Sequence, residues 1–161
     1  MILFLTGASG VGKTTIVTKM ENTYPELFDY YHFDDIGIPS AEEMALIENW
    51  QEKATHQWIE KLITDKSDKS TVFEGSTNGI HIKSGFEKFN YSDYKIVYID
   101  CNEKDMITRL IERGQPELVT PDMKGWLNYL RNQAGEFGVE IINTSEHSID
   151  EAIEKLLKMM G

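Results

Sequence analysis

Apolar positions along the chain alternate between two periods, and this alternation predicts strands and helices in succession. Short apolar runs bounded by polar turns predict strands, at residues 1–5, 27–33, 70–74, 94–100 and 139–143. Apolar residues spaced three or four apart predict helices, over residues 15–22, 40–63, 102–114, 120–134 and 148–160. Residues 75–83 are predicted to form a polar loop. Alternating strands and helices build a parallel sheet covered on both faces, so the pattern predicts a three-layer α/β/α fold.

The first predicted strand leads without a linker into a glycine-rich loop. From Gly7 to Thr14 the sequence reads G-x-x-x-x-G-K-T. In such a loop the backbone N–H groups turn inward around a polyphosphate, and the next helix presents its positive N-terminal end. Lys13 would supply charge to the outer phosphates, and the Thr14 hydroxyl would ligate Mg²⁺. The loop is predicted to bind a nucleoside triphosphate through Gly7, Ala8, Ser9, Gly10, Val11, Gly12, Lys13, Thr14 and Thr15.

Acidic residues follow the second and third predicted strands. Asp34 and Asp35 precede a Gly/Pro turn, and Glu74 ends an apolar run before Gly75. Carboxyl ends of parallel strands meet at the ligand-binding edge of a sheet. Because side chains alternate along a strand, only one of the adjacent acids can face the site, and Asp34 is the better candidate. It could accept a proton from a substrate hydroxyl or orient Mg²⁺, whereas the alternative is that both acids only shape a turn.

The predicted metal site combines the loop hydroxyl with these acids. An acid at a strand end beside a glycine turn can hold Mg²⁺ through water, and Glu74 is the candidate for this role. The predicted metal ligands are therefore Thr14, Asp34 and Glu74.

Arginines in the second half of the chain are candidates for contacting phosphates. Arg109 and Arg113 are four residues apart and project from one helical face. A nucleotide beside them would relieve their repulsion, although nearby glutamates could pair with them instead. Arg131 lies in a segment of about residues 113–135, at the position where a closing lid is inserted. Lids bring arginines onto transferring phosphates, so Arg113 and Arg131 are predicted to be catalytic.

The composition of the chain limits which binding partners and which cellular compartment we expect. A chain of 161 residues is predicted to be a single domain, residues 1–161. Its net charge of −11 argues against an extended nucleic-acid surface or an anionic membrane as a partner. Its one cysteine, Cys101, cannot form an internal disulfide, and no stretch approaches the roughly 20 apolar residues needed to span a bilayer. We expect a cytoplasmic monomer or homodimer.

Together these motifs resemble the P-loop kinase group of nucleoside-monophosphate and shikimate kinases. The resemblance covers nearly the whole chain and includes the loop at 143–145 before the last helix. The segments 33–40, 115–118 and 120–122 are more closely similar to small bacterial proteins described as AAA-type ATPases or kinases. The resemblance implies a five-stranded parallel sheet of order 2-3-1-4-5 and the use of ATP and Mg²⁺.

The resemblance also implies roles for individual residues. Asp34 would contact the acceptor or act as the base. Arg109 would lie near adenine, Arg113 and Arg131 would face phosphates, and Ser145 would belong to the loop that borders adenine. Glu74-Gly75-Ser76 is not the Gly-Gly-Gly of shikimate kinases, which argues against shikimate. The absence of an arginine pair after the second strand argues against a nucleoside monophosphate.

The expected activity is phosphoryl transfer from ATP to a hydroxyl, or a phosphate, of an unidentified small-molecule acceptor. Lys13, the arginines and Mg²⁺ would neutralise developing charge, and Asp34 would deprotonate the nucleophile. The alternative is a P-loop NTPase or nucleotide-dependent switch that has no small-molecule acceptor. A kinase that acts on polynucleotide ends is disfavoured by the net charge of −11.

Overall fold

A computed structural model describes residues 1–37 and 39–161, and these ranges form a parallel sheet between two layers of helices. The strands are β1 Ile2–Thr6, β2 Phe28–His32, β3 Ser70–Gly75, β4 Tyr94–Asp100 and β5 Glu140–Asn143. The α-helices are α1 Lys13–Thr23, α2 Ala41–Leu46, α3 Trp50–Thr64, α4 Gly79–Lys88, α5 Glu103–Glu112, α6 Pro121–Phe137 and α7 Ile149–Met160. Short 3-10 helices lie at Phe33–Ile36 and Pro116–Leu118. Within the described ranges, no helix has both the length and the apolar character that crossing a membrane requires.

The strand order is β2-β3-β1-β4-β5 and all neighbouring strands are parallel. The predicted fold class and sheet order are therefore confirmed. Strand β1 lies at the centre, and each of its residues is buried. Its alternating side chains enter two different cores, with Phe4 on one face and Leu3 and Leu5 on the other. This is why the run reads as continuously apolar in the sequence.

Helices cover both faces of the sheet and bury one apolar stripe each. On one face, α3, α4 and α6 contribute Trp58, Phe86 and Leu130 to the core. On the other, α1 and α7 contribute Ile16 and Leu156, together with residues of α5. Polar residues lie at or near the carboxyl ends of the strands: Thr6, His32, Glu74, Asp100 and Asn143.

The single long helix predicted for residues 40–63 is wrong, because the chain breaks between α2 and α3. Helix α2 ends where Ile47 becomes extended, with φ of −102° and ψ of 108°. Asn49, directly before α3, has a left-handed backbone conformation, with φ of 54°, which asparagine tolerates better than most residues. Helix α2 has no buried residue, and Leu46 is 86% exposed. The apolar positions in α2 therefore do not continue the buried stripe of α3. Ile38, within the segment 33–40 used for the resemblance, lies outside the described residues.

The polar loop predicted for residues 75–83 is also wrong in its second half, where helix α4 begins. The Asn78 side chain caps this helix by accepting the N–H of Ile80. The core-facing residues are Ile82 and Phe86, which are four apart. Gly85 conceals the helix in the sequence, but it is required there because a Cβ would lie 2.5 Å from a side-chain carbon of Ile59.

Most of the segment predicted as a lid is helix α6, which forms part of a helix layer. Leu127, Leu130 and Ala134 are buried against the sheet and the neighbouring helices. A helix held by three core residues cannot swing away from the sheet without exposing them. Only residues 113–120 remain a candidate for a closing segment.

We predict that Gly79→Ala destabilises the fold. A Cβ at this position would overlap the Tyr98 hydroxyl and lie 2.8 Å from Oε1 of Gln133, which also accepts the Gly79 N–H. We expect urea unfolding to show a free energy of unfolding lower by about 1–3 kcal/mol.

Gly125→Ala is the matched control, because a Cβ on this exposed α6 residue meets nothing within 4 Å. Alanine should leave stability unchanged or raise it by about 0.5–1 kcal/mol, since glycine is the poorer helix former. Equal unfolding midpoints for the two variants would contradict the packing described here.

Candidate active site

A cavity of about 220 Å³ lies at the carboxyl edge of the sheet, beside the glycine-rich loop. Residues from several elements line it: Ser9, Gly10, Gly12, Lys13, Thr14, Thr15, Asp34, Glu74, Gly75, Ser76 and Arg113. The fold thus brings together the predicted lysine, both predicted acids and one predicted arginine. These residues are separated in the sequence. The lysine and the two acids meet because β1, β2 and β3 end at the same edge, and the arginine reaches this edge from the end of α5.

The glycine-rich loop has the backbone shape that a phosphate cradle requires. Gly10 and Gly12 have φ values of 83° and 103°, a region that is strained for residues with a side chain. A Cβ at Gly7 would overlap the Ile99 carbonyl oxygen, so only glycine allows the loop to pass this close to β4. Helix α1 starts at Lys13, so its N-terminal end opens into the cavity.

Lys13 places a buried cation against this cradle. Its Nζ donates hydrogen bonds to the carbonyl oxygens of Gly7 at 2.8 Å and Ala8 at 2.9 Å. Burial lowers the pKa of Lys13 to about 8, while the neighbouring Glu74 acts in the opposite direction. The group therefore stays protonated at neutral pH in an environment where a cation is disfavoured, and an anion nearby would stabilise it.

Glu74 connects the loop to strand β2. The Thr14 hydroxyl donates to Oε1 of Glu74 at 3.1 Å, and Nδ1 of His32 lies 2.9 Å from the same oxygen. His32 and Glu74 are paired in the β2–β3 register. The sequence interpretation did not identify His32 as a site residue. Its only sequence signal is its position two residues before Asp34, and the contact with Glu74 becomes visible only when β2 is known to lie beside β3.

The oxygen groups in the cavity suit magnesium. Thr14, Asp34 and Glu74 offer a hydroxyl and two carboxylates, the hard ligands that Mg²⁺ prefers. Among the residues that the structure describes, no group of three or more His, Cys, Asp or Glu side chains is placed to hold a metal by itself. Magnesium is usually bound by one or two carboxylates together with substrate phosphates.

The two adjacent acids have different surroundings, but strand alternation is not the reason. They lie in the 3-10 helix Phe33–Ile36 that follows β2, so the predicted extension of β2 to residue 33 is wrong. Asp34 lines the cavity, whereas the Asp35 carboxylate accepts the His32 N–H at 3.0 Å. Burial, followed by the charge of Glu74, raises the pKa of Asp34, while Lys13 opposes the shift.

Arg109 braces the back of the glycine-rich loop. Its Nη1 donates to the carbonyl oxygens of Gly10 at 3.4 Å and Val11 at 3.3 Å, and to Oγ1 of Thr144 at 2.8 Å. The Thr144 hydroxyl in turn donates to the Val11 carbonyl at 2.6 Å. The sequence placed Thr144 only in the loop bordering the base and gave no sign of this contact. The contact depends on packing between two loops that are far apart in the chain.

A second cavity of about 470 Å³ adjoins the first. Arg109, Arg113 and Ile149 line it together with Gly10, Gly12, Thr15 and Glu112. Arg113 lines both cavities, and its guanidinium donates to the side-chain oxygen of Gln115 at 2.5 and 2.9 Å. Because an amide is neutral, this bond leaves the positive charge of Arg113 uncompensated by its partner.

Arg131 lies outside the linings of these two cavities. Its guanidinium binds both carboxylate oxygens of Asp100, at 2.6 and 3.0 Å, and the carbonyl of Cys101 at 3.1 Å. Asp100 is 6% exposed at the end of β4, and a buried carboxylate needs such a partner. A catalytic role for Arg131 stays a prediction.

Ser145 also lies outside the linings of both cavities. Its hydroxyl accepts the N–H of Asn102 at 2.9 Å, and its own N–H donates to the Asn143 side chain at 2.8 Å. These contacts join the loop after β5 to the loop after β4. Contact between Ser145 and a base remains a prediction.

A larger cavity, of about 840 Å³, lies elsewhere and has a different character. It is bounded by Phe86, Tyr94 and Ile96, among other residues, toward the amino ends of β4 and β5. Ligands of parallel sheets bind at the carboxyl ends of strands. The smaller cavity beside the glycine-rich loop is therefore the better candidate for chemistry, despite its size.

Comparison with known proteins identifies the fold. No model of a protein family matches the chain, and no curated protein matches it. A deoxyadenosine kinase from M. mycoides with bound dATP is 13% identical, with a TM-score of 0.67 and coverage of 99% of each chain. A gluconokinase from Sinorhizobium meliloti 1021 is 14% identical, with a TM-score of 0.67, over 97% of this chain and 89% of the other. A shikimate kinase from Acinetobacter baumannii is 15% identical, with a TM-score of 0.65, over 99% and 92%.

We predict that Lys13→Met raises the stability of the protein without nucleotide. A lysine whose folded pKa is about 8 instead of 10.5 is disfavoured as a cation by up to about 3 kcal/mol. Below pH 8 this penalty is fully present, so the variant should unfold at higher urea concentration. Wild-type stability should rise as pH increases through the window between the two pKa values, because the folded state releases the proton first.

The control is Lys19→Met, which removes an exposed lysine that pairs with Asp150. It should change stability little. A lower free energy of unfolding for Lys13→Met than for the wild type at neutral pH would contradict the burial penalty.

We predict that Thr144→Val loosens the brace behind the loop. The change removes the hydroxyl that donates to the Val11 carbonyl and accepts from the Arg109 guanidinium. Because two hydrogen bonds are lost, one of them to a charged group, the free energy of unfolding should fall by about 1–3 kcal/mol. Thr108→Val, which removes a hydroxyl bonded only to the Lys104 carbonyl of its own helix, serves as the control. If urea denaturation shows equal losses for the two variants, the brace has no special role.

Proposed function

Proceeding from the P-loop kinase fold, we propose that the protein is a phosphotransferase that moves the γ-phosphoryl group of ATP to a hydroxyl of a small, uncharged acceptor. One observation carries the proposal: Lys13, Thr14, Asp34, Glu74 and Arg113 line the same cavity. This set combines a phosphate cradle, a magnesium site, a candidate base and cations. The kinase structures that share the fold support the same class of reaction.

The nucleotide occupies the two adjoining cavities. Its phosphates lie in the cradle formed by the backbone of Gly7 to Thr15, and its nucleoside lies in the second cavity beside Arg109 and Ile149. Lys13 and Arg113 contact the phosphates, where their charges offset the negative charge that develops during transfer. Thr14 and Glu74 would hold magnesium, which would supply further positive charge beside the phosphates.

Asp34 positions and deprotonates the acceptor hydroxyl. It lies in the cavity with Lys13, and its pKa is raised. A raised pKa makes the carboxylate a stronger base than an ordinary aspartate. Asp35 does not compete for this role, since its carboxylate binds the His32 N–H.

The charges around the cavity favour an uncharged acceptor. Among the described residues that line it, Lys13 and Arg113 are the cations, and the phosphates of the nucleotide require both. Arg109 is bound to the loop and Arg131 to Asp100. An acceptor carrying a carboxylate or phosphate would meet Asp34 and Glu74 without a cation to balance it. A nucleoside or a neutral sugar fits this environment better.

The test is ADP release by the purified protein with Mg·ATP and a panel of nucleosides, neutral sugars, sugar acids and nucleotides. We expect release to depend on a neutral acceptor and to fall about 100-fold or more in Asp34→Asn, with ATP binding retained. The acid limb of the pH profile should lie above the usual aspartate range, because the pKa of Asp34 is raised.

Asp35→Asn is the matched control, because it changes the adjacent carboxylate, which does not line the cavity. It should retain most of the activity. Slow ATP hydrolysis that is indifferent to every acceptor and to Asp34→Asn would contradict the proposal and favour a nucleotide-dependent switch.

A further inference from the structure

His32 lies beside Glu74 at the ligand-binding edge of the sheet. The two residues are register partners on β2 and β3, so their side chains lie on the same face of neighbouring strands. Nδ1 of His32 is 2.9 Å from Oε1 of Glu74, and the two side chains are 21% and 8% exposed. This contact is therefore largely shielded from water, which strengthens it relative to a surface pair.

The direction of the hydrogen bond follows from the chemistry of the groups. An ionised carboxylate only accepts hydrogen bonds, so Nδ1 of His32 must carry the hydrogen and donate it. The Thr14 hydroxyl donates to the same Oε1, at 3.1 Å. Oε1 thus receives two hydrogen bonds, and the carboxylate is held in one rotational position.

This position matters for Thr14. A hydroxyl that gives its single hydrogen to Glu74 keeps both lone pairs for a cation. If the carboxylate turned away, the Thr14 hydrogen would be free to point into the cavity, where it would repel a metal ion. Glu74 can orient Thr14 in this way only while its own rotation is restricted.

We infer that His32 is a positioning residue which, through Glu74, orients the Thr14 hydroxyl and thereby sets the affinity of the nucleotide site for magnesium. The inference rests on the proposed function, because it requires that the cavity binds Mg·ATP. It does not depend on the acceptor or on phosphoryl transfer. Partners that orient the groups around a metal typically change metal affinity by about 10-fold to 100-fold when they are removed.

The experiment separates the magnesium-dependent part of nucleotide binding from the rest. ATP binding is measured by calorimetry for the full chain, first with EDTA and then at increasing Mg²⁺ concentrations. His32→Phe keeps a flat ring of similar size but removes the donor. His32→Asn restores an N–H donor at nearly the same distance from the backbone as Nδ1. His56→Asn is the control, because His56 bonds to Ser84 between α3 and α4, away from both cavities.

We expect His32→Phe to raise the half-saturating Mg²⁺ concentration about 10-fold while the affinity for ATP in EDTA is unchanged. His32→Asn should restore most of the magnesium affinity, and His56→Asn should behave as the wild type. A purely structural role would weaken binding with and without magnesium to the same extent.

Three results would overturn the inference: unchanged magnesium dependence in His32→Phe, equal loss of binding in EDTA, or no recovery in His32→Asn. If the wild type binds no ATP under any of these conditions, the proposed function fails as well. Because wild-type binding is measured first, failure of the function and failure of the His32 role are distinguishable.

Discussion

The burial of β1 on both faces is the constraint on which the arrangement of the structure depends. Strand β1 is paired with β3 on one side and β4 on the other, and helices cover both of its faces. Polar or charged side chains are costly along such a strand, because each side chain is removed from water. Polar residues lie instead at the carboxyl end, where β1 continues into the glycine-rich loop and where Glu74 lies one residue before the end of β3. The candidate active site is thus a consequence of how the core is packed.

Much of the fold could be predicted from the sequence, because buried parallel strands read as short apolar runs between polar turns. The strand order required the resemblance to known kinases, since periodicity gives elements and not their neighbours. The errors have local physical causes. The extended Ile47 and the left-handed Asn49 together divide one predicted helix into α2 and α3. In α4, Gly85 obscures the helical pattern in the sequence, and it packs closely against Ile59 of α3.

In the candidate site, too, the sequence suggests some features and misses others. The roles proposed for Lys13 and Thr14 follow from a contiguous motif, which is why the sequence could suggest them. Contacts between distant segments were missed, such as the hydrogen bond from His32 to Glu74, because they depend on which strands are neighbours. The contact of Arg131 with the buried Asp100 carboxylate was missed for a related reason, because it requires knowing that α6 packs beside β4.

The central claim is that this edge of the sheet transfers a phosphoryl group to a small molecule and does not merely hydrolyse ATP. The most direct test supplies ATP labelled with heavy oxygen in its γ-phosphoryl group, together with a pool of neutral metabolites, and follows the label by mass spectrometry. The account predicts a phosphorylated neutral product that carries the labelled group. Label found only in inorganic phosphate, at a rate independent of the metabolite pool, would contradict it.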